Sequence, residues 1–512
     1  MRVVYPFLIG IVAAAAWHAP AYAHAFGQRY DLPLPLSLFV WTGGAVVFVS
    51  FIIVACFLKH DRAPGDYPRL NLLANPVGRF LAHPVTLNLI RLMFFILFLV
   101  TVLAGYIGDQ SPYKNISVVM VWVIAWVGLA FACSLVGDFY ALVNPWNTGF
   151  AWAEALFRRD DRSRRLSINL PYPQSLGEWP AFILFFIFAW MEITWPGASL
   201  PEYLAISLSV YSVITWAGMF LFGREVWLEH GEAFALVYRL FARFAITEVR
   251  VSNGAGAGYD GPADINDPTH GCINGYGAFN DAAPDARQWN LRPPGVGLRI
   301  GKIPSVTLMF FVLLLLSTVT YDGYTETESF QKIGLFLFEQ ISSLGQAAIR
   351  ILETIGIATF PVLFITVYLI FALLIGLFAR SRDTLGAVAQ MFILSVVPIA
   401  IAYHLAHYLS LFVFEGQVVI SRLSDPFGFG WDLFGTAAYK QDLTIMNAKF
   451  VWYFSITSII IGHIAAVYLA HAEALRLFKD RRTALISQIP MLVLMVGYTI
   501  LSLWIIAQPI MG

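Results

Sequence analysis

Four histidines stand in otherwise apolar sequence. His404 and His407 lie within "PIAIAYHLAHYLSLFVF", and His463 and His471 within "GHIAAVYLAHAEAL". On a helix, three residues give about 60° of rotation and about 4.5 Å of rise, so His404 and His407 share a face. Eight residues give about 80° and about 12 Å, so His463 and His471 share a side, but one ion does not easily bind both. Imidazole is a ligand for zinc, iron, copper or nickel. Two or three imidazoles around a metal with an open position lower the pKa of a bound water. The expectation is that His404, His407 and His463 converge on a divalent metal ion, with His471 the outlying member. Haem b clamped by two of these histidines is the alternative. Hydrogen-bonded helix packing, with no ligand at all, is the bland one.

Acidic residues form a second set. Glu225 and Glu229 are four residues apart, hence neighbours on a helix, and Glu232 follows closely. Together they are a candidate second cation site, against the alternative of a solvated helix face. Asp138 and Asp322 end apolar runs. Glu192, in "WMEITW", lies deeper and needs a partner such as an arginine. An ionisable residue at membrane depth is costly and therefore points to function. The stretch "SDPFGFGWDLFGTAAYKQD", with Asp425, Trp431 and Asp432, reads as an ordered turn-rich lid or as an aromatic loop seated at the lipid headgroups.

The elements that position these groups are read from composition. Of 512 residues, 58% are hydrophobic and 12% charged, whereas a soluble domain carries about a quarter charged residues. Continuous apolar runs of about 20 residues exclude a strand barrel and predict an all-α, polytopic transmembrane helix bundle. The runs are 36–58, 86–108, 116–137, 178–197, 200–222, 304–321, 357–379, 386–414, 449–474 and 486–508. These make about five spans in an N-terminal bundle (24–248) and about five in a C-terminal bundle (304–512). Between them, 249–303 reads as a Gly/Pro/Asp-rich cytoplasmic loop. Segment 325–356 reads as amphipathic, lying on the membrane surface or on the bundle. Lys+Arg and Asp+Glu balance at 32 each, so nothing suggests a nucleic-acid partner. The three cysteines form no CxxC pair and support neither a disulfide framework nor a metal knuckle.

Residues 1–23 read as a signal peptide with an Ala21-Tyr22-Ala23 cleavage site. Cleavage would leave His24 as an external N-terminus, whose amine and imidazole suit copper. The connections "KHDRAPGDYPR", "FRRDDRSRR", "ARSRD" and "FKDRR" are basic and should face the cytoplasm of a bacterial inner membrane, with the N-terminus outside. No dinucleotide fingerprint, P-loop, HExxH, G-x-S-x-G or CxxCH motif occurs in a competent context.

The segments "HAFGQRYDLPLPL", "LVNPWNT", "GEAFALVYRLFARFA", "TVTYDG", "PIAIAYHLAHYLS", "SDPFGFGWDLFGTA", "GHIAAVYLAHAEAL" and "SQIPMLVLMVGYTILSLWIIAQP" resemble the bacterial integral-membrane family of fenitrothion hydrolases, from His24 to the C-terminus. The resemblance implies an inner-membrane hydrolase of apolar phosphotriesters, working as a heteromer with a related membrane subunit. Water would attack phosphorus and expel a phenolate, and a metal-bound hydroxide would serve that chemistry well. The resemblance brings no catalytic assignment, so the histidine ligands rest on the sequence alone. Three functions compete: a metal-dependent hydrolase, a haem or copper protein on the same histidines, and a transporter or assembly factor without chemistry.

Overall fold

The computed structural model describes residues 32–58, 65–157, 166–252, 272–274, 279, 282–380, 385–478 and 480–511. The expected signal peptide, its expected cleavage site and His24 lie outside the described residues, as does much of 249–303.

The chain is a multi-pass membrane helix bundle. Its helices are α1 (Leu36–Phe57), α2 (Pro84–Ile107), α3 (Ile116–Leu135), α4 (Trp179–Thr194), α5 (Pro201–Phe222), α6 (Ala233–Ala242), α7 (Val306–Thr325), α8 (Glu328–Ile341), α9 (Gln346–Ala379), α10 (Leu385–Glu415), α11 (Ala448–Leu477) and α12 (Arg481–Met511). Among the described residues, nine are long and apolar enough to cross a membrane. The tenth expected span is α4. At 16 residues it is about 24 Å long, short of a hydrocarbon core of about 30 Å. It stops at Trp195, where Pro196 opens a 3-10 turn. The amphipathic segment divides. Helix α8 has no buried residue, and residues 346–356 are simply the first turns of α9.

Side-chain oxygens fix the helix starts by accepting the backbone N–H groups that the first turn leaves unpaired. Asn115 accepts from Ser117, Ser305 from Leu308, and Asn447 from Phe450. Helix α3 is π-helical from Val119 to Gly128, a geometry that disturbs the ordinary carbonyl ladder. The Tyr238 hydroxyl of α6 donates to the Ala125 carbonyl there, at 2.6 Å.

Helices α7 and α10 form the centre. In their apolar windows 78% and 72% of residues are buried, against 17% in α2 and 22% in α1 and α9, which therefore face lipid. Helices α10 and α11 pack antiparallel through small residues. A side chain on Gly462 would collide with Ala402 and the Pro398 carbonyl. About two turns of α11 closer to the 425–447 loop, Ser455 donates to the Ala406 carbonyl.

Part of the stretch expected to be a loop is a small antiparallel sheet of order β1-β4-β2-β3: β1 (Leu70–Asn71), β2 (Thr247–Ser252), β3 (Cys272–Asn274) and β4 (Arg287–Leu291). Val249 pairs with Trp289 and Leu70 with Leu291. Val249 and Val251 of β2 pack on Leu87, Leu142 and Val143 at the helix ends. Glu248 is held there by Tyr67 (2.7 Å), Arg69 (2.7 Å) and Arg292 (3.0 Å). Burial pushes its carboxyl up, but the Tyr67 hydroxyl and the two guanidinium groups outweigh that and leave it below the usual carboxylate range. This sheet marks one end of the bundle; the 425–447 loop marks the other.

Candidate acid-base site within the bundle

Asp322 lies near the loop end of α7 and is buried. His407 Nε2 and the Tyr408 hydroxyl, consecutive residues of α10, both donate to Asp322 Oδ2 at 2.8 Å. The same Tyr408 oxygen lies 3.1 Å from Glu192 Oε1 of α4. Tyr408 has one hydroxyl proton to give. Asp322, taking two donors on one oxygen, is the ionised acceptor. When that proton goes to Asp322, the Tyr408 oxygen can in turn accept from Glu192, so one hydroxyl stands between two carboxyl groups. The partner expected for Glu192 as an arginine is a tyrosine instead.

His404 takes another direction. Its ring lies edge-on to Trp126 of α3, with centroids 4.9 Å apart, and faces Phe241 of α6. Trp126, Phe185, Ala189, Glu192, His404 and Tyr408 line much of a small cavity of about 10 Å³, room for about one water. Among the described residues no protein group reaches His404 Nε2. An unpaired polar atom beside a polar cavity is a place for ordered water.

The four histidines occupy separate environments. His404 faces the cavity and His407 faces Asp322, with the Tyr408 ring 4.7 Å from each. His463 Nδ1 donates to the Ile459 carbonyl of its own helix at 2.8 Å, and its ring lies beside Tyr498 of α12. His471, nearer the sheet end, is hydrogen-bonded through both ring nitrogens, to Gln488 Oε1 and the Leu58 carbonyl. Among the described residues no three histidine, cysteine, aspartate or glutamate side chains are grouped as a metal would need. Helices α10 and α11 do touch, but their contact is made by Gly462, Ala402 and Ser455, so the rings turn to other neighbours. These residues do not fit the expected His404–His407–His463 metal set.

The acidic set also divides. Glu225 and Glu229 are exposed, whereas Glu232 is fully buried. Glu232 caps α6, accepting from the backbone N–H groups of Phe234 (3.1 Å) and Ala235 (2.7 Å) and from the Tyr211 hydroxyl. The helix break at Gly231 separates it from the other two, so the three do not frame one cation. Asp138 likewise accepts from Ala141 N at the start of a short helix. In the loop, Asp425 accepts from Phe429 and Gly430 and Asp432 from Ala437, while Trp431 packs edge-on against Phe427 and Phe429. Those residues order the loop itself. It is anchored on the start of α3 through the Pro426 and Phe427 carbonyls, which accept from Ile116 and Asp109.

The sequence reading passed over Tyr408, Tyr403 and Trp126. The signal for Tyr408 was present: a hydroxyl adjacent to His407 in an apolar helix.

No family model, no curated protein and no solved structure matches this chain.

Proposed function

We propose that this membrane protein carries out proton-transfer chemistry inside its helix bundle, with Asp322, His407, Tyr408 and Glu192 as the working groups. One observation carries the reading: a single tyrosine hydroxyl faces two carboxyl groups while an imidazole holds one of them. Moving the shared hydrogen from one carboxyl to the other needs only that Tyr408 accept on one side and donate on the other. Ionisable residues at this depth characteristically serve proton relays and ion pathways. The test is infrared titration of the protein in lipid vesicles. A protonated-carboxyl band that is lost in Glu192→Gln and displaced in Asp322→Asn supports the reading. A wild-type spectrum without such a band sinks it.

A second reading is favoured by His404. Its unpartnered Nε2 lines the cavity beside Glu192, and a water between an imidazole and a carboxyl is placed for general-base activation. Coupled to the resemblance to fenitrothion hydrolases, this gives hydrolysis of an apolar phosphotriester: His404 takes the proton of the attacking water, and a phenolate leaves phosphorus. A divalent metal ion or haem b on the four histidines gains nothing from their separate settings. In this reading a related membrane subunit is the partner. Phenolate release from an aryl phosphotriester by the purified protein, unchanged in His404→Gln, would remove it.

A further inference from the structure

Three hydroxyls and one imidazole meet where α7, α10, α11 and α12 join, on the far side of α10 from the cavity. The Tyr403 hydroxyl lies against Gly323 of α7, the residue after Asp322, and its ring is 6.2 Å from that of His407. Thr320, three residues before Gly323 and on the same face, shares a hydrogen bond with the Tyr498 hydroxyl of α12. The ring of His463 is 5.8 Å from that of Tyr498. Tyr403 and His463 are each fully buried, yet among the described residues the Tyr403 hydroxyl and His463 Nε2 have no protein partner. Because the Ile459 carbonyl can only accept, His463 Nδ1 carries the hydrogen and Nε2 presents a lone pair.

A buried hydroxyl or imidazole nitrogen without a partner costs about 1–3 kcal/mol. Two of them around one junction are best satisfied by water. We infer that Tyr403, Thr320, Tyr498 and His463 enclose a water site that links Asp322 and His407 to the middle of the bundle. Its function, which rests on the proton-transfer reading, is to lead a proton from His407 towards His463. Each hydroxyl or water takes a proton on a lone pair and gives up its own, so one proton moves and no bond to carbon changes. Residue 463 stands 15 positions into α11 from its loop end and residue 407 stands 8 positions from the loop end of α10. At 1.5 Å per residue the route therefore runs about 10 Å towards the sheet end. The ionisable groups facing it are Asp322 from α7, His407 and Tyr403 from α10, His463 from α11 and Tyr498 from α12.

The experiment is radiolytic hydroxyl-radical labelling of the whole protein in lipid, in which buried side chains react only beside bound water. Tyr368 is the control: it is buried, and its hydroxyl is already donated to the Ala389 carbonyl. We expect label on Tyr403 and Tyr498, none on Tyr368, and loss of the Tyr498 label in His463→Phe. Tyr403→Phe, which removes only an oxygen, should lower the Tyr498 label should His463→Phe fail to fold. Tyr403 and Tyr498 as unreactive as Tyr368 would overturn the water site. The infrared titration of Glu192 and Asp322 succeeds or fails independently of this labelling, so the two ideas fall separately.

Discussion

Replacing Asp322 tests whether its two donors hold the centre of the bundle together. In Asp322→Asn an amide oxygen can still accept from His407 and Tyr408, which share one oxygen of the wild-type carboxylate. What is lost is the charge. A hydrogen bond to a charged group contributes about 1.5–3 kcal/mol and a neutral one about 0.5–1.5, so two such bonds lose about 2–3 kcal/mol. Asp322→Ala strands both donors, at about 1–3 kcal/mol each. The assay is reversible unfolding in mixed micelles, followed by tryptophan fluorescence, in a cycle with Tyr408→Phe. Removing the Tyr408 hydroxyl first should reduce the cost of Asp322→Ala by about 1.5 kcal/mol, because that donor is no longer there to be stranded. A loss below about 0.5 kcal/mol for Asp322→Ala, or additivity within that same margin, would refute the claim that this cluster is a coupled unit.

Two further outcomes follow from the structure. Glu248 has a folded-state pKa below its unfolded one, so its contribution is present at neutral pH and fades as pH falls below the unfolded value of about 4.3 towards the folded one. Glu248→Gln should flatten the acid limb of a stability–pH profile, and an unchanged limb would count against the Tyr67–Arg69–Arg292 clamp. Gly462→Val must push α10 and α11 apart at Ala402 and Pro398. It should cost about 1–3 kcal/mol or more through overpacking, visible as a lower yield of monodisperse protein on size exclusion.

The spans were legible because a bilayer allows only satisfied backbone inside an apolar shell, and that leaves long continuous apolar runs in the chain. The depth of Glu192 was legible for the same reason, whereas Asp322, at the end of an apolar run, read as a helix-end residue and is buried instead. What the chain could not reveal was direction. His404 and His407 stand three positions apart, a difference of about 60° that one tyrosine ring is enough to fill, so neighbours in sequence serve different sites. The fate of Glu232 was hidden too: with Glu225 and Glu229 it looked like one acidic face, but Gly231 ends that helix and the next begins on Glu232. The sheet was missed because its strands are short and are paired across long separations in sequence.

The partners of Asp322 lie far along the chain, and that has a consequence for how the protein is made. His407 and Tyr408 follow it by 85 and 86 residues. A ribosome adding roughly 5–20 residues per second reaches them about 4–17 s after Asp322 has been joined. During that interval α7 exists as an apolar segment with an aspartate in its last turns and without His407 and Tyr408. The insertion machinery therefore has to retain α7, or let Asp322 wait at the headgroups, until α10 arrives. Truncating the nascent chain between residues 330 and 400 should leave α7 unlocked, and a chain extended past Tyr408 should lock it.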